Sequence, residues 1–526
     1  MTKGKKIALW IVGVLVALIA AAVICVDTIA SKAARAELDD LFADTPEVQA
    51  SFGRIHVFLL SGSVLVNDIR FEAPNLSAEI NNLNIAFVDY FALLKNRRLS
   101  IAQISIDKPT IALTIDEKAE NLGLPQIKID APDDSIKLNG ISLGQLELNK
   151  ACLRLKSSRT KLDVAVDSLT AECNDLWFDP ETKAFGYNDS VYLFELGSLH
   201  LTTPDGEIGV ETHGVKTKNQ GGLAIGYTRV QNLISVLKLA DKKNEPTTWI
   251  DMELNAVKTS DFNPIRKALA KDYTLQSIDV DLKRMAVKRD MRHAPKEPFP
   301  TPQEFLMRLP VTFDIQTVNA KVQEIDVELY LQRENPGKVQ IKKAHAELSN
   351  ITNRKGAAWV NKAHAPVGDG TFDAEYTIHM DEKSTFDISL RGTNIEGSFL
   401  SPLMRPIVGL TFDCDISLLE AQYSGDSKMA AGEFEMQYRG LHINAFPEEK
   451  VAIAEITKYA DLISDVANSL LTKSNPSSVD VRPRRYKVDW KRDEWKEYPL
   501  YLFGCCINGA VETLTPGLNV HRQILK

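Results

Sequence analysis

The chain has 526 residues, too many for one ordinary compact core, so two or three domains or one elongated body is expected. Its 44% apolar and 25% charged content is that of a folded protein, not a disordered one. A net charge of −8 leaves no basic footprint for nucleic acid, and no such partner is expected.

Lys3, Lys5 and Lys6 precede an uncharged run from Ile7 to Val26. A helix of about 20 residues spans about 30 Å, the thickness of a bilayer core. Residues 7–26 therefore read as a transmembrane anchor, with 1–6 as a cytoplasmic stub and the body on the opposite side. A cleaved signal peptide is the alternative, although its apolar region usually runs only about 7–15 residues. Residues 27–50, polar and rich in Ala, form a helical connection.

Residues 51–116 read as one β module. Val64, Val66, Ile69 and Phe71 alternate around a break at Asn67-Asp68, and Pro74 ends that strand because proline cannot donate to a sheet ladder. A second extended run covers Leu76 to Phe87. Asp89 to Arg97 reads as a short helix with a basic end, Lys95-Asn96-Arg97-Arg98, suited to a helix C-terminus. Two more strands follow, Leu99–Ile106 and Thr110–Ile115.

That order resembles the N-terminal module of the AsmA-like family. The matching residues are Gly62, Val64, Asp68, Ile69 and Pro74, then Leu93, Leu94, Arg97 and Arg98, then Ile104, Ile106, Lys108, Pro109 and Leu113. The likeness covers about the first 120 residues. The family consists of bacterial inner-membrane proteins with long periplasmic β-rich bodies, related to TamB and to the bridge-like lipid-transfer proteins.

An internal repeat extends the pattern. Ile101 to Leu113 aligns with Leu143 to Leu155 at an offset of 42, with Gln103/Gln145 and Lys108/Lys150 identical. In each copy the apolar parity slips by one, which is how a β-bulge looks in sequence. Fainter copies cover Ile278–Val287 and Val318–Val327. Repeats of this kind argue for an array of similar β-units. The expected body, 117–446, is antiparallel β with one apolar face.

Helices are expected at Asn232–Leu239, Asn263–Ala270 and Pro302–Leu309. An amphipathic helix is expected within 447–475, its stripe running from Ala452 to Leu470. Residues 476–526 read as a β/loop segment with an alternating strand around Tyr486–Trp490. Polar, Pro-containing stretches at Glu117–Ser135 and His293–Pro302 are candidate boundaries, and Asn353–Gly370 reads as a long loop.

Catalytic signatures are absent. There is no phosphate-binding Gly-rich loop and no Gly-x-Ser-x-Gly elbow. The nine histidines are scattered, and no cysteine pair has zinc-ligand spacing. Asp413 and Asp415 share a strand face but suit a solvent-facing edge. No enzyme activity, cofactor or metal is expected. A Cys152–Cys173 bridge and two buried thiols are both open readings.

The resemblance implies a mostly β fold: an N-terminal transmembrane helix, then an elongated, curved antiparallel sheet whose apolar inner face stays open as a groove, with a few short helices. Roughly 25 strands at about 4.8 Å would make such a groove on the order of 120 Å long. Phospholipids or other acyl lipids would occupy it, since burying a methylene is worth about 0.8 kcal/mol. The candidate lining residues are Ile104, Ile106, Ile111, Leu113, Leu146, Leu148, Leu153 and Leu155, with plain core packing as the competing role. Arginine at Ile106 or Leu148 is expected to lower bound lipid while sparing the fold. The expected location is the bacterial inner membrane, held by residues 7–26, with the body in the periplasm supporting outer-membrane lipid homeostasis. The alternative is a periplasmic scaffold or assembly factor that binds outer-membrane or other envelope proteins through sheet edges and moves no lipid.

Overall fold

The computed structural model describes residues 48–58, 61–116, 138–179, 182, 184–218, 222–262, 272–332, 334–446, 473–496 and 498–514. The anchor at 7–26, the stub before it, nearly all of the 27–50 connection, the stretch at 117–135, the helix at 263–270 and the stripe at 452–470 lie outside these residues. Among the described residues no helix is long and apolar enough to cross a membrane. The protein is mostly β, with few short helices, and divides into two compact units, Met1–Arg229 and Val230–Lys526.

The described part of the first unit begins with two short strands, β1 (Gln49–Ser51) and β2 (Ile55–Phe58), both paired with β3 (Ser63–Ala73). β4 (Leu76–Val88) follows across the Pro74-Asn75 turn. Helix α1 (Tyr90–Asn96) has the expected ends: the Asp89 carboxylate accepts from the Ala92 N–H at 2.9 Å, and Arg97 closes it in the left-handed region. β5 (Arg98–Asp107) and β6 (Thr110–Ile115) then lie end to end beside β4. β7 (Gly140–Ser157), β8 (Asp163–Phe178), β9 (Phe185–Thr202), β10 (Ile208–Lys218) and β11 (Gly222–Ile225) continue the row. β12 (Thr228–Asn232) spans the junction between the units.

The internal repeat has a direct structural meaning. β5 and β6 pair with β7 in parallel, and the partners are Ile101 with Leu143, Gln103 with Gln145, Ile106 with Leu148, Ile111 with Leu153 and Leu113 with Leu155. The repeat offset is therefore the register of a parallel pair. Equivalent residues of the two copies stand side by side, each pair sharing a face. The parity slip falls at Lys108 and Lys150, which share a left-handed backbone with φ of 47° and 51°. In β7 it is a bulge between Leu148 and Ala151. Earlier on β7 a glycine is needed at Gly144, because a Cβ there would sit 2.6 Å from the Ala102 carbonyl oxygen.

The second unit repeats this device. It contains β13 (Thr247–Thr259), β14 (Asp272–Asp290), β15 (Thr312–Tyr330), β16 (Gly337–Thr352), β17 (Ala358–Val367), β18 (Gly370–His379), β19 (Phe386–Glu396), β20 (Leu410–Gly425), β21 (Met429–Ala445) and β22 (Arg485–Lys491). Each pairs with the next. All are antiparallel except β14 and β15, which are parallel with Ile278 opposite Val318 and Val287 opposite Val327. Those are the two fainter copies. The sheet is thus mixed in each unit, where antiparallel pairing alone was expected. Parallel neighbours need a long crossover. The polar stretches read as candidate boundaries fall within those crossovers, one between β6 and β7 and one between β14 and β15.

Among the described residues this unit has four α-helices: α2 (Val236–Lys243), α3 (Pro302–Met307), α4 (Ser401–Val408) and α5 (Tyr498–Leu514). α2 is shifted by a few residues from the expected Asn232–Leu239. α3 starts where expected, with Pro302 at its first turn and a full capping box between Thr301 and Glu304. The stretch 353–370 is not a loop: most of it is β17, joined to β18 by a tight turn. Its Lys, His and Asn residues hid an alternating strand. Pro366 is tolerated because β17 pairs with β16 only over Val360–His364.

Candidate functional site: the apolar face

Directly opposed residues on neighbouring strands share a face. In the first unit the apolar residues form unbroken rows across the sheet. One row is Leu76, Leu113, Leu155, Val164, Leu201 and Val210. The next is Ala78, Ile111, Leu153, Val166 and Leu199. A third is Leu83, Ile106, Leu148, Ala171 and Phe194.

Burial changes along these rows. Val64, Val66, Ile69, Leu83, Ile85, Ile104 and Ile106 form a closed core under β3, β4 and β5. From β7 onward the same rows are only half-buried, and this includes Leu148, Leu153, Leu155, Val164, Val166 and Leu199. Among the described residues, β7, β8 and β9 pack substantially only against their strand neighbours.

The eight predicted lining residues therefore divide. Ile104 and Ile106, 1% and 6% exposed, are core residues, so arginine at Ile106 would break the core and not spare the fold. Leu146, Leu148 and Ile111 pack against the rim of that core while remaining half-buried. Leu113 and Leu155 meet Ile115 and Leu162. Leu153 is half-buried on the row between Ile111 and Val166.

The opposite face is polar and paired. Arg154 donates to Asp167 at 2.6 Å, and Gln145 donates to Glu172 at 2.9 Å. The Arg154 hydrogen bond holds the Asp167 carboxyl below the usual aspartate range. Cys152 and Cys173 are both free thiols. Cys173 lies opposite Leu146, six positions along β7 from Cys152, which is about 20 Å of strand and far too long for a bridge.

In the second unit the apolar face is closed at its C-terminal end. Phe386, Phe434 and Tyr438 are 1% exposed, and α5 seats Tyr498, Tyr501 and Cys505 on them. Two glycines allow the close approach. A Cβ at Gly504 would strike the Trp490 ring and one at Gly509 the Phe434 ring, both under 2.5 Å. Tyr423 donates its hydroxyl to the Leu502 carbonyl at 2.6 Å. Burial pushes the Cys505 thiol up to about 12. The sequence reading missed α5, because an apolar stretch with two glycines carries no amphipathic period. The Pro at its start and the acidic-poor run from Tyr498 to Ala510 were the available signals. The expected strand at Tyr486–Trp490 is present as β22.

The β14–β15 crossover forms a second closure. The Met291 N–H bonds to the Tyr330 carbonyl at 2.8 Å, and the Phe299 N–H bonds to the Glu494 carbonyl at 2.8 Å. Arg492 also donates to the Phe299 carbonyl, and the Arg289 guanidinium lies 5.9 Å from the Phe299 ring. Thr301 meets Ser384 at 2.8 Å, and Asn353 donates to the Val311 carbonyl at 2.7 Å. This segment ties β14 to the end of β22 and to the β18–β19 turn. Its root is a buried ion cluster. Arg292 donates to the fully buried Asp290 at 2.6 Å and to Asp241 of α2 at 2.9 Å. The Asp290 hydrogen bond raises the Arg292 pKa further.

Polar groups that looked scattered are gathered by the strand register. His345 stands opposite His364, whose ring lies 2.7 Å from Asp373. Asp413 faces His442 and Asp415 faces Arg439. Among the described residues no group of three or more His, Cys, Asp or Glu side chains is placed to hold a metal ion.

No family model, no curated protein and no solved structure matches this chain.

Proposed function

We propose that the protein is an acyl-lipid carrier, anchored in a bacterial inner membrane by residues 7–26, whose apolar sheet face binds or conducts phospholipids in the periplasm and so supports the outer membrane. The observation that carries this reading is the set of apolar rows that stay half-buried across β7, β8 and β9. An apolar face of that extent needs an occupant in water. Acyl chains supply one, gaining about 0.8 kcal/mol for each methylene buried. The rows are continuous from strand to strand, so a chain slides along them with no specific site. The resemblance of about the first 120 residues to AsmA-like proteins supports the same reading and implies an open, elongated, curved groove.

The scaffold reading is less favoured. It needs a long, bare strand edge. In the first unit the edge strands β1 and β2 have 3 and 4 residues; in the second, the last strand β22 has 7 and carries Arg485, Lys487 and Lys491. Short and cationic edges discourage strand addition.

The test is phospholipid content per chain, measured on the whole protein extracted in mild detergent. The variant Leu148→Arg/Leu153→Arg/Leu155→Arg keeps the anchor and alters only the half-buried face. Clearly less lipid than in the parent, with circular dichroism unchanged, is the expected result. Equal lipid in both proteins would remove the face from the account.

A further inference from the structure

One end of the first unit carries an apolar and cationic tip that the sheet face does not explain. Phe91 and Leu94 on α1 are 70% and 84% exposed, and Phe87 at the end of β4 is 62% exposed. Together they form an exposed apolar patch, which is more informative than any one bare side chain. Phe87 also has a φ of 57°, a left-handed backbone that is a genuine outlier for a bulky residue.

Cations outnumber acids at the tip. Lys95, Arg97 and Arg98 are exposed, and among the described residues none of them has a carboxylate within ion-pair distance. The Lys95 ammonium lies 5.3 Å from the centre of the Phe91 ring. The nearest acid in sequence, Asp89, is committed to capping α1. Next to the tip, Phe178 and Phe185 end the row that starts at Leu99 and Ile141, so the half-buried face opens at this edge.

We infer that this tip, built from Phe87, Phe91, Leu94, Lys95, Arg97 and Arg98, docks onto the surface of an anionic phospholipid bilayer. The inference rests on the proposed function only in placing the body beside a membrane. Aromatic rings at the level of the headgroups and cations against anionic lipid are the pairing that such a surface recognises. Charge complementarity selects the bilayer over an apolar protein partner, which would leave three cations unpaired. α1 lies flat at the interface: its apolar residues enter the acyl boundary and Lys95 reaches back to the phosphates.

The experiment places benzoylphenylalanine at Phe91 in the whole chain, reconstituted into vesicles of phosphatidylethanolamine and phosphatidylglycerol. Val479, 96% exposed in the second unit, takes the same probe as a control. Irradiation is expected to give phospholipid adducts at 91 and few at 479. The adduct yield should fall at least about fivefold with Lys95→Glu/Arg97→Glu/Arg98→Glu, given a factor of about five per cation at such a surface. It should fall similarly in 0.5 M salt (a concentration chosen for the test) or in pure phosphatidylcholine. Adducts to residues 1–47 of the same chain, or to a second copy, would overturn the inference. So would lipid adducts that ignore charge and salt, or the absence of any adduct at 91. A probe at Leu155 separates the two proposals. Lipid at 91 and none at 155 would remove the apolar-face reading and leave the tip standing, and the converse would do the reverse.

Discussion

Two stretches of sheet with the same alternation meet different fates. Around β20, β21 and β22, Phe434, Tyr438 and Val488 are buried in a core cluster that α5 helps to close. Across β7, β8 and β9, Leu153, Leu155, Val164 and Val166 repeat the pattern and stay half-buried. Residue type does not separate them. A covering element does, and it comes from elsewhere in the chain. Alternation encodes which face is apolar. Whether that face is a core or a surface is decided by what the topology returns to it.

Each side of this comparison can be broken. The largest effect is expected at the sealed end. Phe434→Ala should cost about 3–5 kcal/mol, read by denaturant unfolding, because it leaves a cavity between β21 and α5. Arg292→Ala should cost a similar amount, about 3–5 kcal/mol, since it leaves the fully buried Asp290 without its partner and frees the crossover from α2. A loss under 1 kcal/mol would mean that the crossover does not help close this unit.

A contrast within one row comes next. Ile106 and Leu148 are directly opposed on β5 and β7. Ile106→Arg should unfold the first module, whereas Leu148→Arg should cost about 1 kcal/mol, because its stem can lie along the face with the charge in water. Equal damage from both, in circular dichroism and thermal melts, would erase the boundary between core and open face.

The smallest effect is on the polar side. Arg154→Ala should cost about 0–1 kcal/mol, as the pair with Asp167 is exposed. The Asp167 pKa is lowered in the folded state, so this contribution is present above the unfolded value of about 3.9 and is lost as pH falls through the lower native value. The parent and Arg154→Ala stabilities should therefore converge below about pH 4.

Much of the fold was legible because its signals are local. Parity along a strand, Pro74 at a turn and the basic end of α1 all act within a few residues. The repeat was legible as a repeat. Its parallel pairing was not, because alignment of Ile101–Leu113 with Leu143–Leu155 says nothing of direction in space. The strand register sets the candidate lining residues of β5 and β6 beside those of β7, but alternation alone could not tell Ile104 and Ile106 from Leu153 and Leu155. Their burial depends on the closed core that β3 and β4 build on their side of the sheet. α5 was hidden for the same reason: Gly504 and Gly509 make sense only once Trp490 and Phe434 lie against them.

The most direct measurement of the central claim uses two adjacent positions on β7. Leu155 lies on the apolar row and Lys156 on the opposite face. A photoreactive residue at each, in the whole chain in its native membrane, followed by mass spectrometry of the adducts, compares the faces with everything else held constant. The account predicts phospholipid adducts at 155 and essentially none at 156. Equal yields, or no lipid at 155 in a folded protein, would contradict it.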